Sequence, residues 1–263
     1  MLKMRVLTAL CLIAAVLLAL FLTTRTEALI VISLVMLLGA WEMSALIGFS
    51  TITFRLGYVA ANALLMLGLT WQPDLWVLVV IMGLGWWLIA LYYVLYFPAH
   101  KEDWVNSLGL KVLIGYFILI PCWAALNLLI SADRYFLLFL LIIVYGADTA
   151  AYCVGKKWGK KPLLKQVSPG KTYEGALGAF VTIVILSLIF SPVFLKTVPF
   201  FYALLLSIAT FAASVLGDLT ESMMKRVSGI KDSGGLLPGH GGILDRIDSL
   251  TAASVVFAVG AYL

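Results

Sequence analysis

The chain has 263 residues, of which 63% are hydrophobic and only 12% charged, with a mean hydropathy of +1.08 and a formal net charge of +5. Soluble domains are about 45–50% apolar and about 25% charged, so this composition excludes a soluble enzyme and leaves almost no material for a separate soluble domain. Much of the basic charge (Lys156, Lys157, Lys160, Lys161, Lys165, Lys171, Lys225, Arg226, Lys231 and Arg246) lies in two stretches between apolar runs, which speaks for membrane orientation and phosphate binding and against nucleic acid.

In chain order, Lys3 and Arg5 precede an apolar run over 6–22. It is longer than a signal-peptide core and has no small-x-small cleavage site, so a retained first span is expected. A span needs about 20 mostly apolar residues. Further candidates are 28–48, 52–70, 75–97, 109–130, 135–154, 175–195, 198–217 and 244–263. The last works only if its helix starts near Leu244, which puts Asp245 and Asp248 on its first turn.

The expected fold is therefore all-α: a polytopic membrane protein with about nine transmembrane helices in a single integral membrane domain, 1–263. Spans within 1–134 form the N-terminal part, and 135–263 hold the chemistry. Six lysines put the 155–174 connector in the cytoplasm. Counting spans from there puts 218–243 on the same side, the N-terminus inside and the C-terminus outside; Arg25, Arg134 and Lys196 dissent weakly. Cys11, Cys122 and Cys153 lie within or beside apolar runs without CxxC spacing, and are read as packing residues. His100 is read as structural. Glu42, near the cytoplasmic end of the second span, is read first as half of an ion pair. Trp86, Trp87, Tyr92 and Tyr93 are read as lipid-facing or packing residues.

The chemistry concentrates where apolar runs end. Asp148 ends one and Asp218 another, with Glu221 a turn further on, and Asp245 and Asp248 are spaced to share a helix face. A carboxylate at a helix centre costs about 2.5–3.5 kcal/mol on insertion scales, and several together repel unless a cation joins them. Oxygen-only donors without Cys or paired His favour Mg²⁺ over zinc. Taken singly, Asp218 and Asp245 read equally well as helix caps or as partners of Lys225 and Arg246.

Around them stand Ser222, Lys225, Arg226, Lys231, Asp232, His240, Gly241, Gly242 and Arg246. Glycine amides and a helix N-terminus among cations suit phosphate oxygens, although no Walker A sequence occurs. In the other connector, Ser168, Lys171 and Thr172 form a second candidate anion site, with Thr172 a candidate helix cap. A topological role alone is the alternative for its lysines. His240 is read as a positioning group, because an ionised phosphate needs no base.

The run Ser222-x-Met224-Lys225-Arg226-x4-Lys231-Asp232-x-Gly234-x2-Leu237-Pro238-x-His240-Gly241-Gly242-Ile243-x-Asp245-Arg246-Ile247-Asp248 resembles the signature of CDP-diacylglycerol synthases, the phosphatidate cytidylyltransferases of bacterial type. Gly146-Ala147-Asp148 and Ser168-Pro169-Gly170-Lys171-Thr172 resemble that family's upstream blocks, and Trp41-Glu42 does so more weakly. The resemblance implies an inner-membrane, multi-pass enzyme with its active site facing the cytoplasm. It joins CTP and phosphatidate with Mg²⁺, works as a homodimer in membrane lipid, and has a two-metal carboxylate centre that takes a second cation. Carried over, the ligands are Asp218, Asp245 and Asp248, with Asp148 and Glu221 beside them. A CTP-dependent polyprenol or dolichol kinase-like enzyme and a solute transporter are the alternatives.

Overall fold

The computed structural model describes residues 14–196, 198–236 and 241–262. Its long helices are α1 (Arg25–Ile47), α2 (Ile52–Thr70), α3 (Leu75–Leu95), α5 (Leu108–Ala132), α6 (Arg134–Trp158), α7 (Tyr173–Phe194), α8 (Phe200–Ser228) and α9 (Leu244–Tyr262). A single turn, α4 (Glu102–Val105), precedes α5. Among the described residues, the seven helices α1 to α3 and α5 to α8 are long and apolar enough to cross a membrane. The protein is thus an all-α polytopic membrane protein. Of the expected first span, 14–22 is helical and the rest lies outside the described residues. The expected last span forms α9, whose first turns carry Asp245, Arg246 and Asp248.

Local chemistry explains the helix limits. Thr24 caps α1 in a reciprocal box with Glu27, and Gly48 ends that helix in the left-handed region with φ 100°. Thr51 and Ser107 cap α2 and α5 through their hydroxyls. Asp133 accepts the Tyr135 amide at 2.9 Å and separates α5 from α6.

The helix α5 is the most buried of the seven and packs against α1, α3, α6 and α9. The pairs α6–α7 and α8–α9 make the most extensive contacts. Where α8 meets α9, a Cβ on Gly217 would overlap the Asp248 carbonyl. Only a residue without a side chain permits that approach, which sets Asp218 beside Asp248.

Two expectations change. The span expected to end at 217 continues to Ser228 in α8, because its later residues still pack: Leu219, Thr220, Glu221, Met223 and Met224 are all buried. The connector after α6 is partly a two-stranded antiparallel hairpin, β1 (Pro162–Leu164) with β2 (Ser168–Thr172), pairing Pro162 with Thr172 and Leu164 with Ser168. Of the cysteines, Cys122 is buried but Cys153 is exposed on α6, so packing holds for the first and not the second. Cys11 lies outside the described residues.

Candidate active site

Four elements bring charge to one end of the bundle. The last turns of α8 present Asp218, Glu221, Ser222 and Lys225, and the first turns of α9 present Asp245 and Asp248. Asp148 comes from α6 and Lys171 from β2. Asp248 lies within electrostatic reach of Asp218, Glu221 and Lys171; Asp148 lies within reach of Asp218, Lys171 and Arg246.

Each carboxylate has a distinct neighbourhood. Asp218 pairs with Lys171 through Oδ2 and accepts the Ser222 hydroxyl at 3.3 Å through Oδ1. Asp148 accepts the Ser249 hydroxyl at 3.3 Å. Glu221 is 4% exposed; Lys225 Nζ stands 3.3 Å from its Oε1, yet neither carboxylate oxygen has a hydrogen-bond partner among the described residues. Asp245 receives Lys225 Nζ at 2.7 Å on Oδ1, and the Ser233 and Gly242 amides at 3.0 and 2.9 Å on Oδ2. The ion-pair alternative is therefore what Asp245 shows with Lys225. Asp148 and Asp248 form no ion pair among the described residues.

The hairpin reaches this cluster through specific contacts. Arg226 Nε donates to the Val167 carbonyl at 3.2 Å, tying the hairpin turn to α8. Thr172 caps α7 by accepting the Gly175 amide at 3.1 Å, as expected. Glu174 folds back to accept the Lys160 and Lys161 amides at 3.0 and 3.3 Å. Lys171 is thereby delivered to Asp218. Ser168 sits opposite Leu164 in the ladder, and the Thr172 hydroxyl is engaged in the α7 cap. Lys231, Asp232 and Arg246 are exposed at the same end. Gly241 takes φ 83° ahead of α9. His240 lies outside the described residues.

Sequence reasoning missed several participants. Glu42 forms no ion pair among the described residues, contrary to expectation; it accepts hydrogen bonds from Ser233 and Leu244. Ser249 and Ser233 hold Asp148 and Glu42, and Tyr145 donates to the Arg246 carbonyl at 3.2 Å. Ser249, directly after Asp248, was the available signal.

The donor set fits a divalent cation in kind. All donors are hard oxygens, and Glu221, whose buried oxygens have Lys225 beside them but no hydrogen bond among the described residues, keeps acceptor capacity for one. Among the described residues no three Asp, Glu, His or Cys side chains stand close enough to enclose one ion. Mg²⁺ needs no such cage, since it is usually held by one or two carboxylates with substrate phosphates and water.

The cytidylyltransferase family model matches residues 3–263, the charged end included. This chain belongs to the cytidylyltransferase family. Two relatives align along nearly their whole length. A phosphatidate cytidylyltransferase of Haemophilus influenzae is 42% identical over 98% of this chain and 98% of its own. One of Pseudomonas aeruginosa is 41% identical over 98% and 96% respectively. In this cytidylyltransferase, membership extends through the N-terminal helices as well as the charged end.

Proposed function

We propose that this protein transfers the cytidylyl group of CTP to phosphatidate, giving CDP-diacylglycerol and pyrophosphate. The observation that carries the reading is the convergence of Asp148, Asp218, Glu221 and Asp248 with Lys171 and Lys225 at one end of an apolar bundle. A lipid phosphate is held by its acyl chains at that depth, where a water-soluble nucleotide can also reach.

A phosphatidate oxygen attacks the α-phosphorus of CTP; the new P–O bond forms as the bond to the β-phosphate breaks and pyrophosphate leaves. One or two of the carboxylates, Asp218 and Asp248 first, would hold Mg²⁺, with Glu221 and Asp148 beside them; when bound, the ion supplies charge neutralisation on phosphate oxygens. Lys171 balances Asp218 before substrate arrives and can turn to a phosphate, a shift of one ion pair for another. Lys225 is held by Glu221 and Asp245, so it fixes the acidic groups in place. Arg226 has its Nε on the hairpin and is exposed, so its guanidinium can also meet a phosphate. Lys231 and Arg246, both exposed, suit the departing pyrophosphate. His240, Gly241, Gly242 and Asp232 belong to the loop that would border the nucleotide. Ser168 and Thr172 belong to the hairpin carrying Lys171.

The same reading puts this end of the bundle in the cytoplasm and the protein in the cell inner membrane, as a homodimer. The test is to incubate purified protein with phosphatidate micelles, labelled CTP and Mg²⁺ and to identify the labelled products. CDP-diacylglycerol and pyrophosphate support the reading. A phosphorylated lipid with CDP would make it a lipid kinase instead. Omitting Mg²⁺ or adding a chelator should abolish turnover, and restoring Mg²⁺ should bring it back.

A further inference from the structure

Glu42 lies on α1, far in sequence from the charged end, yet it is only 2% exposed and points into the glycine loop before α9. Its Oε2 accepts the Ser233 hydroxyl at 3.1 Å and the Leu244 amide at 2.8 Å, while its buried Oε1 has no hydrogen-bond partner among the described residues. From the other side, Asp245 Oδ2 accepts the Ser233 and Gly242 amides. The two ends of this loop are therefore drawn together by two carboxylates, one on α9 itself and one on α1.

The loop backbone is fitted to this carboxyl. A Cβ on Gly234 or Gly242 would overlap Glu42. The support behind Glu42 is also fixed. Ser228, at the end of α8, donates to the Leu46 carbonyl at 2.7 Å. Arg55 binds the Trp41 carbonyl at 3.0 Å and the Ser44 hydroxyl at 2.9 Å, and lies 3.9 Å from the centre of the Trp41 ring. A buried carboxylate in a bundle is costly unless it is hydrogen-bonded. Packing alone would be served by an apolar side chain, so these two hydrogen bonds are the reason to look for a role.

We propose that Glu42 is a positioning residue for the transfer site: by holding Ser233 and the first amide of α9, it fixes the helix that carries Asp245 and Asp248. With that N-terminus held, Asp245 meets Lys225, and Asp248 stays within reach of Asp218 and Glu221. Glu42 does not touch the reacting groups. Its effect passes through Ser233 and Leu244. The kinetic part of this inference rests on the cytidylyl-transfer reading; the structural part does not.

The experiment uses full-length protein in lipid nanodiscs, with Glu42→Ala and Glu42→Gln. Amide hydrogen exchange is read by peptide across the chain, alongside kcat and KM for CTP and for phosphatidate. In Glu42→Ala, exchange should rise about tenfold or more in peptides covering 233 and 242–244, while α1 and α5 stay as in the wild type. Its kcat should fall about tenfold or more, with both KM values within about twofold, the pattern of an interaction that matters in the transition state. Glu42→Gln, whose carbonyl can take both bonds now made by Oε2, should recover loop exchange and kcat to within about threefold.

Wild-type loop exchange in Glu42→Ala would overturn the proposal, as would exchange rising equally in every span. A well-folded Glu42→Gln as impaired as Glu42→Ala would also overturn it, because charge rather than hydrogen bonding would then carry the effect. If the wild-type protein transfers no cytidylyl group while the exchange pattern appears as described, the catalytic reading falls and the loop anchor stands.

Discussion

Asp245 accepts three donors with two oxygens: Lys225 on one, and the Ser233 and Gly242 amides on the other. Asparagine has a single acceptor oxygen, so Asp245→Asn must strand at least one of those donors, at a cost of about 1–3 kcal/mol. We expect that variant to lose turnover and to melt earlier in detergent, as measured by a thermal shift assay. Asp218→Asn and Asp248→Asn act differently, because those carboxylates would hold Mg²⁺ rather than a loop. Their melting should stay close to wild type while kcat drops about 10²–10³-fold, the scale for losing one preorganised charge-stabilising group. Lys171→Ala leaves Asp218 without its partner and removes a cation from the site, so kcat/KM for CTP or for phosphatidate should fall. Unchanged values for both would return the hairpin to a purely topological role.

Among the elements, α8 decides the most. Had it ended at residue 217, Asp218, Glu221 and Lys225 would sit on a loop with no fixed spacing. As helix, they lie on successive turns, and Glu221 and Lys225 meet as an i, i+4 pair at 3.3 Å. Gly217 fixes the distance between this helix and α9. Gly217→Leu forces the helices apart, with an overpacking cost of about 1–3 kcal/mol. Turnover should fall far more than stability, since Asp218 and Asp248 would separate; steady-state assays beside thermal melts check this. The hairpin rests on smaller local forces. Loss of the cap in Thr172→Ala should cost about 1 kcal/mol and loosen the strand that carries Lys171.

At the scale of the molecule, the lysine-rich hairpin and the acidic ends of α8 and α9 share one face, joined by Lys171 with Asp218 and Arg226 with Val167. Basic residues in short connectors orient a membrane protein by the positive-inside rule, and the proposed function needs this face in the cytoplasm. In a background lacking the native cysteines, single cysteines replacing Gly170 and Gly235 should react with an impermeant maleimide from the same side. One replacing Gln72 should react only from the other. Labelling of Gly170→Cys from the outer side would reverse the orientation and remove CTP from the site.

Membrane residence, seven of the nine expected spans and the helix starts at Thr172 and Leu244 were legible in the sequence, because hydropathy and capping depend on neighbours along the chain. So were the chemical types in the site: hard oxygen donors, cations and glycines crowded into one stretch admit few purposes in an apolar protein. What the chain order could not reveal is which groups meet. Asp245 is held by Lys225 and two amides, Glu221 is buried with no hydrogen bond among the described residues, and Glu42 reaches across from α1. Those outcomes depend on helix crossings such as the one at Gly217. A crossing is set by packing between segments remote in sequence, and no local pattern encodes it.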